Sequence, residues 1–455
     1  MLVNIIRTRL QSVLQKRPPG FGGRWGKRAL ILAGVTMAFF VFGHLGVRFV
    51  LWPQIEKSKP TIEHLISARL GTDVTMDDVQ VSWTGIRPNF VIQGLRFNSA
   101  STSTPPLLIE NISGQLSWLS FYYLAPYFHE ITIDQAQLYA QRDAKGIVSI
   151  AGIPIQGNAD NFSTGNWLLA QNNIQVNNAK IYWEDQQSRR LKTAIDIQSF
   201  RLINGIRSHE GQLITKTPWS PSPIKLEADF VHHLGGQAGN WRDWVGSVSW
   251  DFADLKLSQI SKDLSLPIYD LGGKINSKGS LKLDGGNANG GQMSLIADQL
   301  IVQLNKDEDP LEFGRLETEL IQDTDDGLNS LTTKTLAWRN IDSPQTAPLE
   351  KLSPITFRWR PPKDGGEIKE FGFSSPKIQL EDIALFALNL PLPKKIHQWI
   401  KISEADGELQ NVDMNWSESQ SALSALPIPG NWFSSNKLDF TISAKLNDIS
   451  FTGVN

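Results

Sequence analysis

The chain contains no cysteine, which excludes a disulfide-stapled scaffold and removes thiolate zinc and iron–sulfur sites. It also lacks a charge bias: 44 basic and 46 acidic side chains leave a formal net charge of -2. Outside the N-terminal tail there is no basic stripe of the kind nucleic acid selects, so nucleic acid is not expected as a partner. Catalytic signatures are missing as well. There is no GxSxG elbow, HExxH or Walker lysine loop, and Gly272-Gly273-Lys274 lacks the upstream glycine at the required spacing. His232 and His233 are adjacent, so a strand sends them to opposite faces. The acidic runs Asp307–Asp309 and Asp323–Asp326 resemble calcium loops only loosely, with Gly327 misplaced for an EF-hand. No enzymatic activity, metal or cofactor is expected.

Long apolar runs are scarce, with one exception. From Ala29 to Trp52 the chain offers roughly the 20 apolar residues that cross a bilayer, interrupted only by His44 and Arg48. Arg48 lies near the end, where a long side chain snorkels to the headgroups, and Trp52 suits an interfacial aromatic belt. Arg7, Arg9, Lys16, Arg17, Arg24, Lys27 and Arg28 precede the run with no acidic residue, whereas mixed signs follow at Glu56, Lys57, Lys59 and Glu63. The positive-inside rule then gives residues 1–28 as a cytoplasmic basic tail, 29–52 as an uncleaved transmembrane signal anchor and 53–455 as the exported part. Within the tail, Leu2, Ile6, Leu10, Val13 and Leu14 fall on one helical face and suit the inner leaflet.

In the exported part, Pro60 to Leu70 reads as a short amphipathic helix stopped by Gly71, placed to cap the open end of the first sheet layer. Beyond it, short alternating apolar runs bounded by Gly, Asn, Asp and Pro predict a mainly β chain. Trp118 to Tyr127 and Asp382 to Ile402 are the helical interruptions, Asp284 to Gly291 is a turn, and Ser343 to Pro354 reads as a linker. Phe440, Ile442, Ala444 and Leu446 still alternate near Asn455, so the sequence is expected to stop inside a sheet.

Four stretches share one grammar: Val74 to Trp83, Ile131 to Ala140, Ile174 to Trp183 and, less completely, Leu409 to Trp416. In each, apolar alternation breaks at a polar pair, namely Asp77-Asp78, Asp134-Gln135, Asn177-Asn178 and Gln410-Asn411. One inserted residue flips every later side chain to the other face, so an unrelieved pattern would put half the apolar set in water. A bulge or tight bend at the pair restores them to one face. Each copy is therefore a bent strand whose two arms line one apolar concavity.

These residues carry a resemblance. The basic tail and anchor, then SARLGTDVTMDDVQVSW, LYAQRDAKGIVSIAGIP, NWLLAQNNIQVNNAKIYWED, SPKIQLEDIALFALNLPLP and EADGELQNVDMNW, resemble in their order the opening of the YhdP-type AsmA-like bacterial envelope proteins. The resemblance implies an inner-membrane protein with its bulk in the periplasm, related to bridge-like lipid-transfer proteins. It further implies that the chain is the N-terminal part of a longer molecule. The fold it implies is an elongated, twisted antiparallel β-groove, taco-like, with an N-terminal transmembrane helix and a few short helices. Phospholipid and the inner membrane are then the partners, together with envelope proteins of the outer membrane or periplasm.

A phospholipid tail of about 15 methylenes costs on the order of 12 kcal/mol to expose to water, at about 0.8 kcal/mol per CH₂. A trough with one apolar face removes that cost and needs no catalytic residue. The candidate lining is Val79, Val81, Ile131, Ile133, Leu138, Ile174, Val176, Ile181, Val412 and Met414, with Trp83, Trp183 and Trp416 closing the groove edge or anchoring strand ends. The competing function is a membrane-tethered structural scaffold for envelope assembly partners.

Overall fold

The computed structural model describes residues 24–70, 73–98, 107–123, 125–143, 148–150, 153–154, 163–185, 193–264, 266, 268–304, 306, 310–360, 370–388, 394–403, 405–418 and 438–450. The amphipathic tail face from Leu2 to Leu14 and the acidic run Asp307–Asp309 lie outside the described residues.

Helix α1 (Arg24–Gly46) passes through a π turn (Val47–Leu51) into α2 (Trp52–Lys57), and α3 (Lys59–Leu70) follows. Lys27–Val50 is long and apolar enough to cross a membrane, and its apolar side chains from Leu30 to Phe42 are exposed. The remaining helices are short: α4 (Leu119–Tyr123), α5 (Ser163–Leu169), α6 (Leu257–Leu264), α7 (Leu380–Ala387) and α8 (Lys394–Ser403).

Between them run β1 (Asp73–Thr75), β2 (Asp78–Thr84), β3 (Arg87–Asn98), β4 (Leu107–Leu116), β5 (Phe128–Arg142), β6 (Val148–Ile150), β7 (Ile153–Pro154), β8 (Asn173–Asp185), β9 (Thr193–Asn204) and β10 (Ser208–Lys216). The series continues with β11 (Ile224–His232), β12 (Trp244–Lys256), β13 (Asp270–Asp284), β14 (Asn287–Gln303), β15 (Leu311–Asp325), β16 (Leu328–Arg339), β17 (Glu350–Leu352), β18 (Ile355–Trp359), β19 (Glu370–Gln379), β20 (Asp406–Glu418) and β21 (Leu438–Ser450). Among the described residues, these 21 strands form one sheet. Successive strands pair antiparallel by hairpins, which keeps the connections short. No pairing joins β2 to β21 among the described residues, so the sheet is open.

One pair departs from the antiparallel expectation. β5 and β8 run parallel, Ile131 beside Ile174, Ile133 beside Val176, Leu138 beside Ile181 and Ala140 beside Trp183. These are the second and third copies of the repeated stretch, aligned residue for residue. A parallel neighbour needs a crossover rather than a tight turn, and 143–172, which includes α5, supplies it.

Helix α3 covers the first edge, as expected of the 60–70 segment. Ser67 Oγ accepts from the Val74 N–H at 2.9 Å, Glu63 Oε1 accepts from the Met76 N–H at 2.8 Å, and Lys59 Nζ donates to the Asp77 carbonyl at 3.0 Å. Side chains thus satisfy backbone groups that a bare edge strand would offer to another chain. On the same helix, Ile62 and Ile66 pack on a cluster of Val74, Met76, Val79, Leu95, Ile109, Ile112, Ala136 and Ala179. A second cluster at the far part of the sheet joins Ala297, Leu300, Phe313, Leu336, Trp338, Leu352 and Ile355 to Ile383, Leu385 and Phe386 of α7.

Two sequence expectations need correction. The stretch 343–354 is not a loose linker: Arg339 Nη1 donates to the Gln345 and Ala347 carbonyls at 2.6 and 3.1 Å, and Leu352 is buried in the second cluster. Trp52 does not face lipid. It is only 4 % exposed, and its Nε1 donates to the Ser82 and Asn89 carbonyls at 3.1 and 3.2 Å, tying α2 to the β2–β3 hairpin.

Candidate functional site

Backbone register carries side-chain orientation from strand to strand, because residues directly opposite one another point to the same face. Followed across the sheet, one row runs Val81, Phe90, Gly114, Ile131, Ile174, Leu202, Gly211, Ala228, Val248, Leu281, Gly291, Gln322, Leu331, Phe357, Phe373, Met414. The neighbouring row, two residues along each strand, runs Val79, Ile92, Ile112, Ile133, Val176, Phe200, Leu213, Leu226, Trp250, Gly279, Met293, Leu320, Thr333, Ile355. Within these rows only Gln322 and Thr333 are polar. One face of the sheet is therefore an apolar track leading away from the N-terminal apolar helix.

The bends appear where the sequence places its polar pairs. Gln135, Asn178 and Asn411 have φ of 56°, 52° and 51°, each the second residue of its pair, in the left-handed region that L residues other than Asn and Asp rarely enter. At the fourth pair the chain breaks between β1 and β2, and the left-handed residue sits on the neighbour, Gly94 at φ 61°. A Cβ there would lie 1.9 Å from Asp77 Oδ2, so glycine is required twice over. The same device recurs at Asp254, Gln299 and Gly273, with φ of 52°, 52° and 97°. The sequence reading missed these.

Polar contacts brace the bends. Arg96 grips Asp77 with two bonds of 2.7 and 2.9 Å, Asn177 Nδ2 donates to Asp134 Oδ1 at 3.0 Å, and Arg315 donates to Asp298 at 2.7 Å beside Gln299. The Arg96 guanidinium holds the Asp77 carboxyl below the usual carboxylate range. Beyond each bend the apolar parity is restored. Val74 and Met76 before the first bend share one cluster with Val79 after it, and Ala136 and Ala179 lie in that cluster with Ile133 and Val176 from the other arm.

All ten residues of the predicted lining map to the apolar face, but they do not share one environment. Val79, Ile174 and Val412 are buried, and Ile131, Ile133 and Val176 pack against the cluster under α3. Val81, Leu138, Ile181 and Met414 are half-buried. The open wall lies further along, on residues outside that set. Phe200 packs on Leu169, Ile174 and Leu202, whereas Leu213, Trp250, Met293 and Leu320 are half-buried and Leu226 is 37 % exposed. Their signal was alternation without a polar pair, as in Leu226, Ala228, Phe230 or Val248, Trp250, Phe252.

Trp83 anchors its strand end as expected, its ring 5.9 Å from Trp52, 5.1 Å from His44 and 6.3 Å from Trp118. Trp183 falls in register with Ala140 and Thr193 at the opposite end of β8, and Trp416 stands opposite Phe371.

The reverse face is polar. A cavity of about 670 Å³ is lined by the charged Lys225, Glu227, Asp251, Lys278, Glu319 and Lys334, and Trp250, Met293, Leu320 and Ile321 also border it. Lys278 pairs with Asp251 at 3.2 Å and Lys334 with Glu319 at 3.6 Å. A hydrocarbon tail would have to desolvate these charges, so this cavity does not suit one.

His232 stacks on His209 with ring centroids 5.2 Å apart, and His209 Nδ1 meets Asn204 Oδ1 at 2.8 Å. Burial, and then the neighbouring His232, lower the affinity of His209 for a proton. The pair is structural packing beside Trp244, and His233 projects away from it into solvent.

Neither comparison with curated proteins nor comparison with solved structures gives a match. The profile of the family described as YhdP protein matches residues 21–447, which spans the N-terminal apolar helix, the apolar track and every bend. The chain belongs to the YhdP family.

Proposed function

We propose that this protein is a membrane-anchored lipid carrier whose groove shields phospholipid acyl chains as they move between the inner and outer membranes. The N-terminus is cytoplasmic, the sheet periplasmic, and the activity needs no catalytic group. The observation that supports it most is the double apolar row carried in register across the sheet, with a stretch from Leu213 to Leu320 that the protein's own side chains leave half-covered. A closed sandwich would bury those positions against a second sheet. Membership of the YhdP family agrees with an envelope role.

A tethered scaffold is the competing reading, and the filled ends of the sheet under α3 and α7 favour it. The two separate on purification without detergent. A carrier retains phospholipid at a reproducible ratio, and a photoreactive side chain at Leu213 cross-links to it. A lipid-free preparation with no lipid adduct at Leu213 sinks the carrier and leaves the scaffold.

A further inference from the structure

We infer that the loop between β4 and β5, together with α5, rests in the bilayer surface that the anchor helix leaves, so that the near end of the groove opens directly onto a lipid leaflet. The residues concerned are Trp118, Leu119, Tyr122, Tyr123 and Trp167, with Ile86 of the β2–β3 turn as a further exposed apolar residue. All are exposed, Ile86 at 65 % and Tyr122 at 78 %. The segment Ser117 to Tyr127 and helix α5 contain no charged residue. A patch of this kind with no cover on a soluble surface marks an interaction site, and Trp and Tyr are the residues that suit a membrane–water boundary.

The anchor supplies the occupant. A hydrocarbon core of about 30 Å takes about 20 helical residues, so a span beginning at Ala29 reaches its far boundary near Arg48. His44 is one turn short of that point, about 6 Å deeper at 1.5 Å per residue. The Trp118 ring lies 5.6 Å from His44, and the Trp83 ring 5.1 Å. Trp118 therefore stands at the depth of the lipid boundary, and the rest of the patch is fixed to it. Ser120 Oγ donates to the Tyr127 carbonyl at 2.7 Å, Tyr122, Tyr123 and Tyr127 pack ring to ring, and Trp167 Nε1 donates to the Pro126 carbonyl at 3.0 Å. On the anchor side, Arg48 lies over the Trp83 ring at 5.6 Å, within reach of headgroup phosphates.

The docking rests on the membrane span and not on lipid carriage, so the two readings fail separately. A groove that holds no lipid would still seat this loop, and a lipid-filled groove standing clear of the bilayer would not.

The absence of cysteine makes the test clean. Tyr122→Cys, Leu119→Cys and, on the distal part of the sheet, Asp342→Cys are each introduced into the full chain and labelled with an environment-sensitive fluorophore. The proteins are reconstituted in phosphatidylethanolamine–phosphatidylglycerol vesicles carrying nitroxide lipids. Quenching at positions 119 and 122 several-fold above that at 342, stronger with a shallow nitroxide than with one at the bilayer centre, is the expected result. Quenching at both positions no greater than at 342 overturns the inference. A melting transition matching the parent chain shows that each label reports on the folded protein.

Discussion

Leu226→Glu is the sharpest test of the groove. Leu226 lies in the middle of the apolar row, 37 % exposed and outside both packed clusters. In the lipid-free protein a glutamate there reaches water, and the fold loses about 1 kcal/mol of partial leucine burial. With an acyl chain in place, the same carboxyl has to be covered. The lost leucine contact, about 1.5–3 kcal/mol, adds to a burial penalty of at least about 2 kcal/mol. The sum of about 4 kcal/mol corresponds to roughly a thousandfold loss of occupancy, and to about tenfold where the chain shifts aside and keeps most of its contacts. The assay is phospholipid phosphorus per protein after detergent-free purification, with the melting temperature measured alongside. Lys225→Glu, one residue away on the polar face, leaves lipid content unchanged. Unchanged lipid in a Leu226→Glu, Trp250→Glu double variant with an unaltered melt would refute the reasoning. Val176→Glu is a poorer probe than its sequence position suggests, because Val176 packs on the first cluster and a carboxylate there attacks the fold.

Further outcomes follow from the bends, the anchor and the histidines. Gly94→Ala forces a Cβ into a left-handed backbone against the Asp77 carboxylate, and denaturant titration should show at least about 1–2 kcal/mol of destabilisation, partly recovered by adding Asp77→Ala. Gln135→Gly relieves strain at φ 56° and is neutral or stabilising by up to about 1 kcal/mol, whereas Gln135→Val destabilises. Trp52→Phe leaves the Ser82 and Asn89 carbonyls without their shared donor, and costs about 1–3 kcal/mol in a thermal or denaturant melt. His209 has its proton affinity lowered in the folded protein from the ordinary 6.5, so the unfolded chain binds the proton first on acidification. Its contribution is complete above pH 6.5 and falls away below, towards the lowered folded value; a melting series from pH 7.5 to 5 should show this slope, and His209→Asn should flatten it.

Much of this architecture is written locally. The polar pairs Asp134-Gln135, Asn177-Asn178 and Gln410-Asn411 identify the bent residues because parity is a property of one strand and needs no partner. Helix α3 was readable for the same reason, with Pro near its start and Gly71 beyond its end. The parallel pairing of β5 with β8 was not, since alternation says nothing about which neighbour a strand chooses or which way that neighbour runs. The burial of Val79 and Ile174 was equally illegible: it depends on Ile62 and Ile66 arriving from α3, and on Leu202 from a neighbouring strand. Trp52 reads as a belt residue from its place at the end of an apolar run, but two carbonyls of a hairpin 30 and 37 residues further along claim its N–H.

The bends explain why the sheet stays open at β10 and β11 while the trough fills to either side of them. Each left-handed residue turns its strand so that both arms present apolar side chains to one side, and the charges that brace the turn, Arg96 with Asp77 and Arg315 with Asp298, stabilise the curvature. Between β9 and β11 no residue of this kind occurs among the described positions. β10 and β11 alternate without interruption after a bulge at Gln198 of β9, and Leu213 and Leu226 find no second arm to pack on. Curvature is thus concentrated where helices α3 and α7 fill the trough, and relaxed where Leu213 and Leu226 await another cover. Introducing a bend there tests this directly. Inserting one Asn after Ala228 reverses the parity of Phe230 unless the chain bulges, so either the fold is lost or the new arm closes on Leu226. In a folded insertion variant, a thiol-reactive probe at Leu226→Cys should react more slowly than in the parent chain. Equal reactivity would separate groove closure from strand bending and remove the bends from the explanation of the opening at β10 and β11.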